Sequence, residues 1–417
     1  MPAAPSPSPP PSVSGSPETL LRRITDYTNR ADPYPLYAEL REAGVVRQED
    51  GTYLVGTYAG VAALLSDPRV SSDPRNRTGY DAEGNSDEPV SFIRRDDPEH
   101  DRLRRLAMRP FGPPHSPGRV DALQGDITRI TRELTAGFAG RDRIDLVDDF
   151  AYPLPVTVIS TLLGVPREDL PRIHAWADAF ITALDRPRGT GSEDESEAAE
   201  AQRTAIRELG TYMNDLAESR RGHPSNDMLS ALANDDGPDG RLTPSELRTT
   251  AALLLIAGHE TTVNLITNGM LTLLRRSDAL ALLRERPELM PSAVEELLRY
   301  EPPVQLVPQR APLVDIEVAG VTVPRGAPLM LAIGSANRDP LRFADPDRFD
   351  PARRDNRHLG FGGGPHNCYG APLARLETQI ALTELLRTLD TPTLVSDPPP
   401  YRHSAVLRGP RHLLVDL

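Results

Sequence analysis

Apolar positions along this chain recur mainly at helical spacing. The clearest case opens at Thr243-Pro244-Ser245-Glu246, a capping box with proline at the first helical position. The apolar run behind it predicts one long helix over roughly 244–274. Short β patterns occur at Gly51–Val55 and Val314–Val323, with turn residues at Ala319-Gly320 and Arg325-Gly326. Many long helices with a few short strands predict a mainly-α fold with small β sheets. Met1–Pro17 is rich in proline and serine and cannot bury a core, so residues 1–19 are expected to form a disordered tail. No composition break interrupts 20–417, which is expected to form a single domain. Asp185–Glu200 has no apolar side chain larger than alanine. It predicts an exposed loop running into a helix start, a candidate lid.

The longest apolar stretch, Ala251–Gly258, falls far short of the roughly 18 residues that span a bilayer. The first 21 residues carry no basic residue and no apolar centre. Neither signal peptide nor anchor is therefore expected, and the cytoplasm is the expected location.

Charge and composition narrow the chemistry. A net charge of −13 over 417 residues argues against nucleic-acid binding, which needs a basic footprint. The single cysteine, Cys368, excludes intramolecular disulfides and zinc sites built from several cysteines. All 47 basic residues are arginine. Lysine Schiff-base enzymes and P-loop nucleotide hydrolases are thereby excluded.

The richest segment is Phe361-Gly362-Gly363-Gly364-Pro365-His366-Asn367-Cys368-Tyr369-Gly370, followed by a helical pattern from Ala371. A glycine-rich loop here feeds a thiol into a helix N-terminus, where amides and the helix dipole stabilise a thiolate. A lone cysteine is more often a small buried hydrophobe. A phosphate cradle would need a Gly-x-Gly-x-x-Gly register that is not present. The spacing of Phe361, Gly362, Gly364, His366, Cys368 and Gly370 resembles, position by position, the haem-binding loop of the cytochrome P450 family.

Independent segments carry the same resemblance. Glu296-Leu297-Leu298-Arg299 is similar to the family's Glu-x-x-Arg motif and lies about 70 residues before the cysteine. Asp345–Phe349 resembles the segment that supplies a third member, Arg348; the trio is implied to be structural. Asp97–Arg104 resembles the family's third-helix motif. It implies that His100 and Arg104, with Arg310 and His366, bind haem propionates. Ala257-Gly258-His259-Glu260-Thr261-Thr262 interrupts the long apolar helix with a costly polar pair. A zinc His-Glu-x-x-His reading fails because position 263 is valine. The stretch resembles the family's small-Gly-x-acid-Thr pattern. That implies space for dioxygen at Gly258, a hydroxyl at Thr261 to hold it, and a proton relay through Glu260.

The resemblance as a whole implies the triangular helical prism of the family and haem b as cofactor. Cys368 is the implied iron ligand, and Ala257, Phe361, Gly362 and Gly370 are implied haem contacts. Expected substrate contacts are Val90, Phe92, Ile93, Leu253, Ala257, Leu306, Val307, Val406 and Leu407, which are mostly apolar. The expected reaction is hydroxylation or epoxidation of a lipophilic small molecule, of the kind found in secondary metabolism, with O2. Electrons are expected from a ferredoxin and its FAD-containing reductase. Arg102, Arg105 and Arg109 are a candidate docking patch, weighed against a merely solvated face. Two alternatives stay open: a peroxide-driven or non-oxygenating member, and a haem sensor or carrier without turnover.

Overall fold

The computed structural model describes residues 18–80, 91–112, 116, 118–184, 193–237 and 239–417. The Pro/Ser-rich stretch 1–17 and most of the candidate lid, 185–192, lie outside them. The first helix spans Glu18–Thr25. It takes in Glu18 and Thr19, which composition assigns to the tail. The acidic end of the lid segment is helical from Glu193 onwards.

Helix Pro244–Leu274 runs the length that its pattern predicts. Thr243 Oγ1 accepts from the Glu246 amide at 3.2 Å, and Glu246 Oε2 accepts from the Thr243 amide at 2.8 Å. The helix is apolar nearly all round because it runs between other helices. It packs against helices Pro153–Leu163, Glu193–Arg220 and Ala371–Thr388, and Ala251, Leu255, Val263 and Leu273 are fully buried. Burying a leucine-sized side chain is worth about 1.5–3 kcal/mol, so this central packing holds the helix where its polar interruption must act.

The larger sheet has five short strands in the order Val45–Arg47, Tyr53–Val55, Leu329–Ala332, Leu306–Pro312, Val70–Ser71. Tyr53–Val55 pairs with Leu329–Ala332 in parallel and the other neighbours are antiparallel. A separate hairpin pairs Ile316–Val318 with Val321–Val323. Its turn, Ala319-Gly320, has φ of +49° and +80°. Positive φ at both turn positions matches the right-handed twist of the flanking strands. A third sheet joins Arg143–Asp145 to Leu414–Asp416, near the chain's last residue, and then to Thr393–Leu394. No helix among the described residues is long and apolar enough to cross a membrane.

Candidate active site

The cysteine loop is folded by its own backbone. The Cys368 amide donates to Phe361 O at 2.8 Å, and the Gly362 amide to Leu359 O at 2.8 Å. Gly362 and Gly364 take φ of +71° and +62°. A Cβ on Gly364 would stand 2.3 Å from Leu65 O, so that glycine is required by both strain and contact. Helix Ala371–Thr388 starts three residues after the thiol. The Cys368 thiol opens into a cavity. Burial raises its pKa, while the amides of Gly370 and Ala371 and the charges of Arg104 and Arg375 pull it down. The arrangement presents a sulfur to an electrophile and hydrogen-bonds it from behind.

Two connected spaces, of about 840 and 1410 Å³, share Cys368, Ala374, Ala257, Thr261, Thr262, Ile93 and His366 as walls. The sulfur thus faces the polar interruption of the long helix. Of the four expected propionate donors, His100 is 2% exposed, and its Nδ1 lies 3.3 Å from Asp97 Oδ1. Its Nε2 is buried without a partner, and so is His366 Nδ1. The two rings lie 4.1 Å apart. Burial, aided by His100 and the arginine charges, pushes His366 down to about 3. Arg104 donates to Asn367 O at 2.7 Å, and burial lowers the pKa of Arg310, which lines the larger space. Unsatisfied buried imidazole nitrogens are costly. Two carboxylates entering beside two arginines would satisfy them, so the residues present fit haem b.

Across the cavity, Thr261 Oγ1 donates to Ala257 O at 2.9 Å. Glu260 turns the other way and is 4% exposed. Asn264 Nδ2 donates to its Oε1 at 3.1 Å, and Arg402 Nε lies 3.1 Å from the same oxygen. Neither Asn264 nor Arg402 is foreseen by the motif. Arg402 comes from the far C-terminal segment and is itself 2% exposed. A buried carboxylate held by a guanidinium and an amide is the form in which a charge survives burial.

His259 also leaves the cavity. Its Nε2 donates to Tyr152 O at 3.2 Å, and its ring meets Tyr152 edge-on at 4.6 Å. Burial pushes its pKa from 6.5 to about 3. The unfolded chain therefore takes up a proton that the folded one refuses. This neutral imidazole costs the fold nothing above 6.5, and stability falls as pH drops from 6.5 towards 3. His259→Gln is expected to flatten that fall. Thermal midpoints measured between about pH 4 and 7 check it.

Of the expected substrate contacts, Phe92, Ile93, Leu253, Ala257 and Val307 line the cavity. Val90 lies outside the described residues. Three others do not line it. Leu306 is fully buried on the opposite face of its strand from Val307 and belongs to the cluster of Leu36, Leu40 and Leu54. Val406 packs against that same cluster. Leu407 forms a β-bridge with Val304, and it is Val304 that reaches the cavity. Walls that the sequence reading misses include Ile159, Met228, Leu254 and Arg94.

The structural trio needs one replacement. Glu296 and Arg299 are both fully buried and bidentate, with Nε–Oε2 and Nη2–Oε1 at 2.8 Å. The third member is Arg353, whose Nε lies 3.1 and 3.0 Å from the two Glu296 oxygens. Arg348 is exposed and contributes only its carbonyl, which accepts from Arg299 and Arg353. The candidate docking arginines are likewise spoken for. Arg102 pairs with Glu246, Arg105 with Asp101 and Asp239, and Arg109 with Asp235 and Asp239. Internal acids neutralise that patch. Tyr369 closes the near side, stacking on Phe111 at 4.5 Å and donating to Ala107 O at 3.2 Å.

The Cytochrome P450 family model matches residues 45–416. The chain is 43% identical over 364 residues to the cytochrome P450 monooxygenase PikC of Streptomyces venezuelae, covering 85% of this chain and 83% of that protein. It is 37% identical over 404 residues to the 6-deoxyerythronolide B hydroxylase of Saccharopolyspora erythraea, covering 93% and 96%. Its fold is similar to that of the bacillaene polyketide synthase cytochrome P450 PksS of Bacillus subtilis. That likeness has a TM-score of 0.84 at 33% identity and covers 94% of this chain and 99% of that one.

Proposed function

The chain belongs to the cytochrome P450 family of haem b monooxygenases, and from that premise we propose that it hydroxylates or epoxidises a lipophilic small molecule of secondary metabolism. In this reading a separate ferredoxin and its FAD-containing reductase supply the electrons. The observation that carries the reading is the placing of Cys368 and Thr261 on one apolar-walled cavity. Similarity to the 6-deoxyerythronolide B hydroxylase and to the polyketide biosynthesis cytochrome P450 PksS supports the substrate class.

When bound, haem supplies the iron on which dioxygen is reduced and split, with a thiolate ligand favouring the cleavage. The chain's residues do the rest. Cys368 supplies the ligand sulfur, and the Gly370 and Ala371 amides temper its charge. His100, Arg104, Arg310 and His366 fix the cofactor's edge. Apolar walls such as Leu253, Ile159 and Val307 exclude water and orient the substrate. Thr261 holds a proton donor over the cavity, and Glu260 resupplies it. Arg402 and Asn264 hold the Glu260 carboxylate in place while it takes up and passes on the proton.

Thr261→Ala is expected to bind haem and substrate normally and to keep consuming NAD(P)H. Its product yield per electron should fall by up to about 10²-fold, the low end for a lost acid–base group because pocket water replaces part of it. Hydrogen peroxide should rise in proportion, and a peroxide assay run beside product analysis checks this. Glu260→Gln should slow the whole cycle instead. Full coupling in Thr261→Ala would end the relay reading.

The reading as a whole is tested by reconstitution with a ferredoxin, its reductase and isotopically labelled O2. The substrate is found first by screening lipophilic compounds for the low-to-high-spin shift. One labelled oxygen atom in the product is expected. Equal turnover with peroxide alone would favour the peroxide-driven alternative, and haem binding with no turnover would favour a sensor or carrier.

A further inference from the structure

Arg94 closes the short turn Phe92–Arg94 and lines the larger space together with Ile93, Val304, Val307 and Thr261. Its Nε is buried and has no acceptor. The Nε of its neighbour Arg95 is likewise buried without a hydrogen-bond partner, but Arg95 has carboxylates in reach, Asp73 at 3.6 Å and Glu99 at 3.5 Å. The nearby Asp96 is committed elsewhere: it accepts from Ser71 Oγ, the Ser72 amide and Asn76 Nδ2. Among the described residues no carboxylate lies within ion-pair distance of Arg94. In the reading above, the two carboxylates of haem would take Arg104, Arg310, His100 and His366 as donors. Arg94 is therefore an additional cation on a cavity whose other walls are mostly apolar.

A guanidinium at such a place is expensive to bury unmatched and strongly favours a planar, two-oxygen acceptor. We propose that Arg94 is an anion anchor for the substrate, which carries a carboxylate. Its apolar body fills the space beside Ala257, Thr261, Val304 and Val307. This rests on the monooxygenase reading above and adds a substrate class to it. An apolar pocket alone discriminates weakly, whereas one matched charge rejects the neutral analogue more sharply.

The test is calorimetric titration of the haem-loaded protein with dodecanoate and with methyl dodecanoate. The wild type should bind the acid about tenfold more tightly, the scale of one charge-assisted hydrogen bond. Arg94→Gln should erase the preference, and Arg94→Lys should keep part of it. Equal affinities in the wild type would overturn the proposal. A preference that survives in Arg94→Gln would also overturn it. So would an unchanged preference with faster haem loss, which would assign Arg94 to the cofactor's own carboxylate. The CO spectrum of the same preparations reports separately on thiolate ligation, so the anchor and the monooxygenase reading fail independently.

Discussion

Cys368→Ala should abolish both the long-wavelength Soret band of the reduced CO complex and all ferredoxin-driven turnover, while leaving the fold intact. The wild type should show that band. The effect is complete because the chain has one thiol, so no other residue can supply a thiolate. The fold survives because the Cys368 side chain opens to the cavity and supports no packing, whereas the loop is held by the Cys368 amide on Phe361 O. Absorbance of the CO complex and a thermal midpoint, measured on both proteins, read the two halves separately. A wild type ligated only through histidine would overturn the assignment of Cys368.

The second large effect falls on stability. Glu296→Ala should yield little soluble, haem-loaded protein. It strips the shared partner from two guanidiniums, Arg299, which is fully buried, and Arg353. Breaking a buried pair by removing one member costs about 3–5 kcal/mol, against total stabilities of about 5–15 kcal/mol. Arg353→Ala should be clearly destabilising for the same reason. Arg348→Ala should stay within about 0.5 kcal/mol of wild type, as an exposed side chain offering only its carbonyl. Denaturant midpoints of the three variants decide it. Equal losses in Arg348→Ala and Arg353→Ala would restore the trio that the sequence motif suggests.

That exchange illustrates what a sequence displays and what it hides. The cysteine loop, the capped long helix and the Ala319-Gly320 turn are local. Their residues are dictated by φ angles, amide partners and spacing within a few positions, and they can be read directly. Arg348 and Arg353 sit in one arginine-rich stretch, and only the path of the backbone decides which guanidinium reaches Glu296. Leu306 and Val307 are both apolar, so composition cannot phase their strand, and the cavity takes only the second. Arg402 stands far from Glu260 in the chain with no motif around it. Its role is visible only once the C-terminal segment is seen to return to the long helix.

That return has a bearing on how the molecule is made. Glu260 finds its guanidinium only when Arg402 arrives, and strand Arg143–Asp145 finds its neighbour only in Leu414–Asp416. At about 5–20 residues per second of synthesis, Glu260 waits several seconds or more for Arg402, and strand Arg143–Asp145 waits longer for its neighbour. The site is complete only after the segment that carries Arg402 has been made and has returned to the long helix.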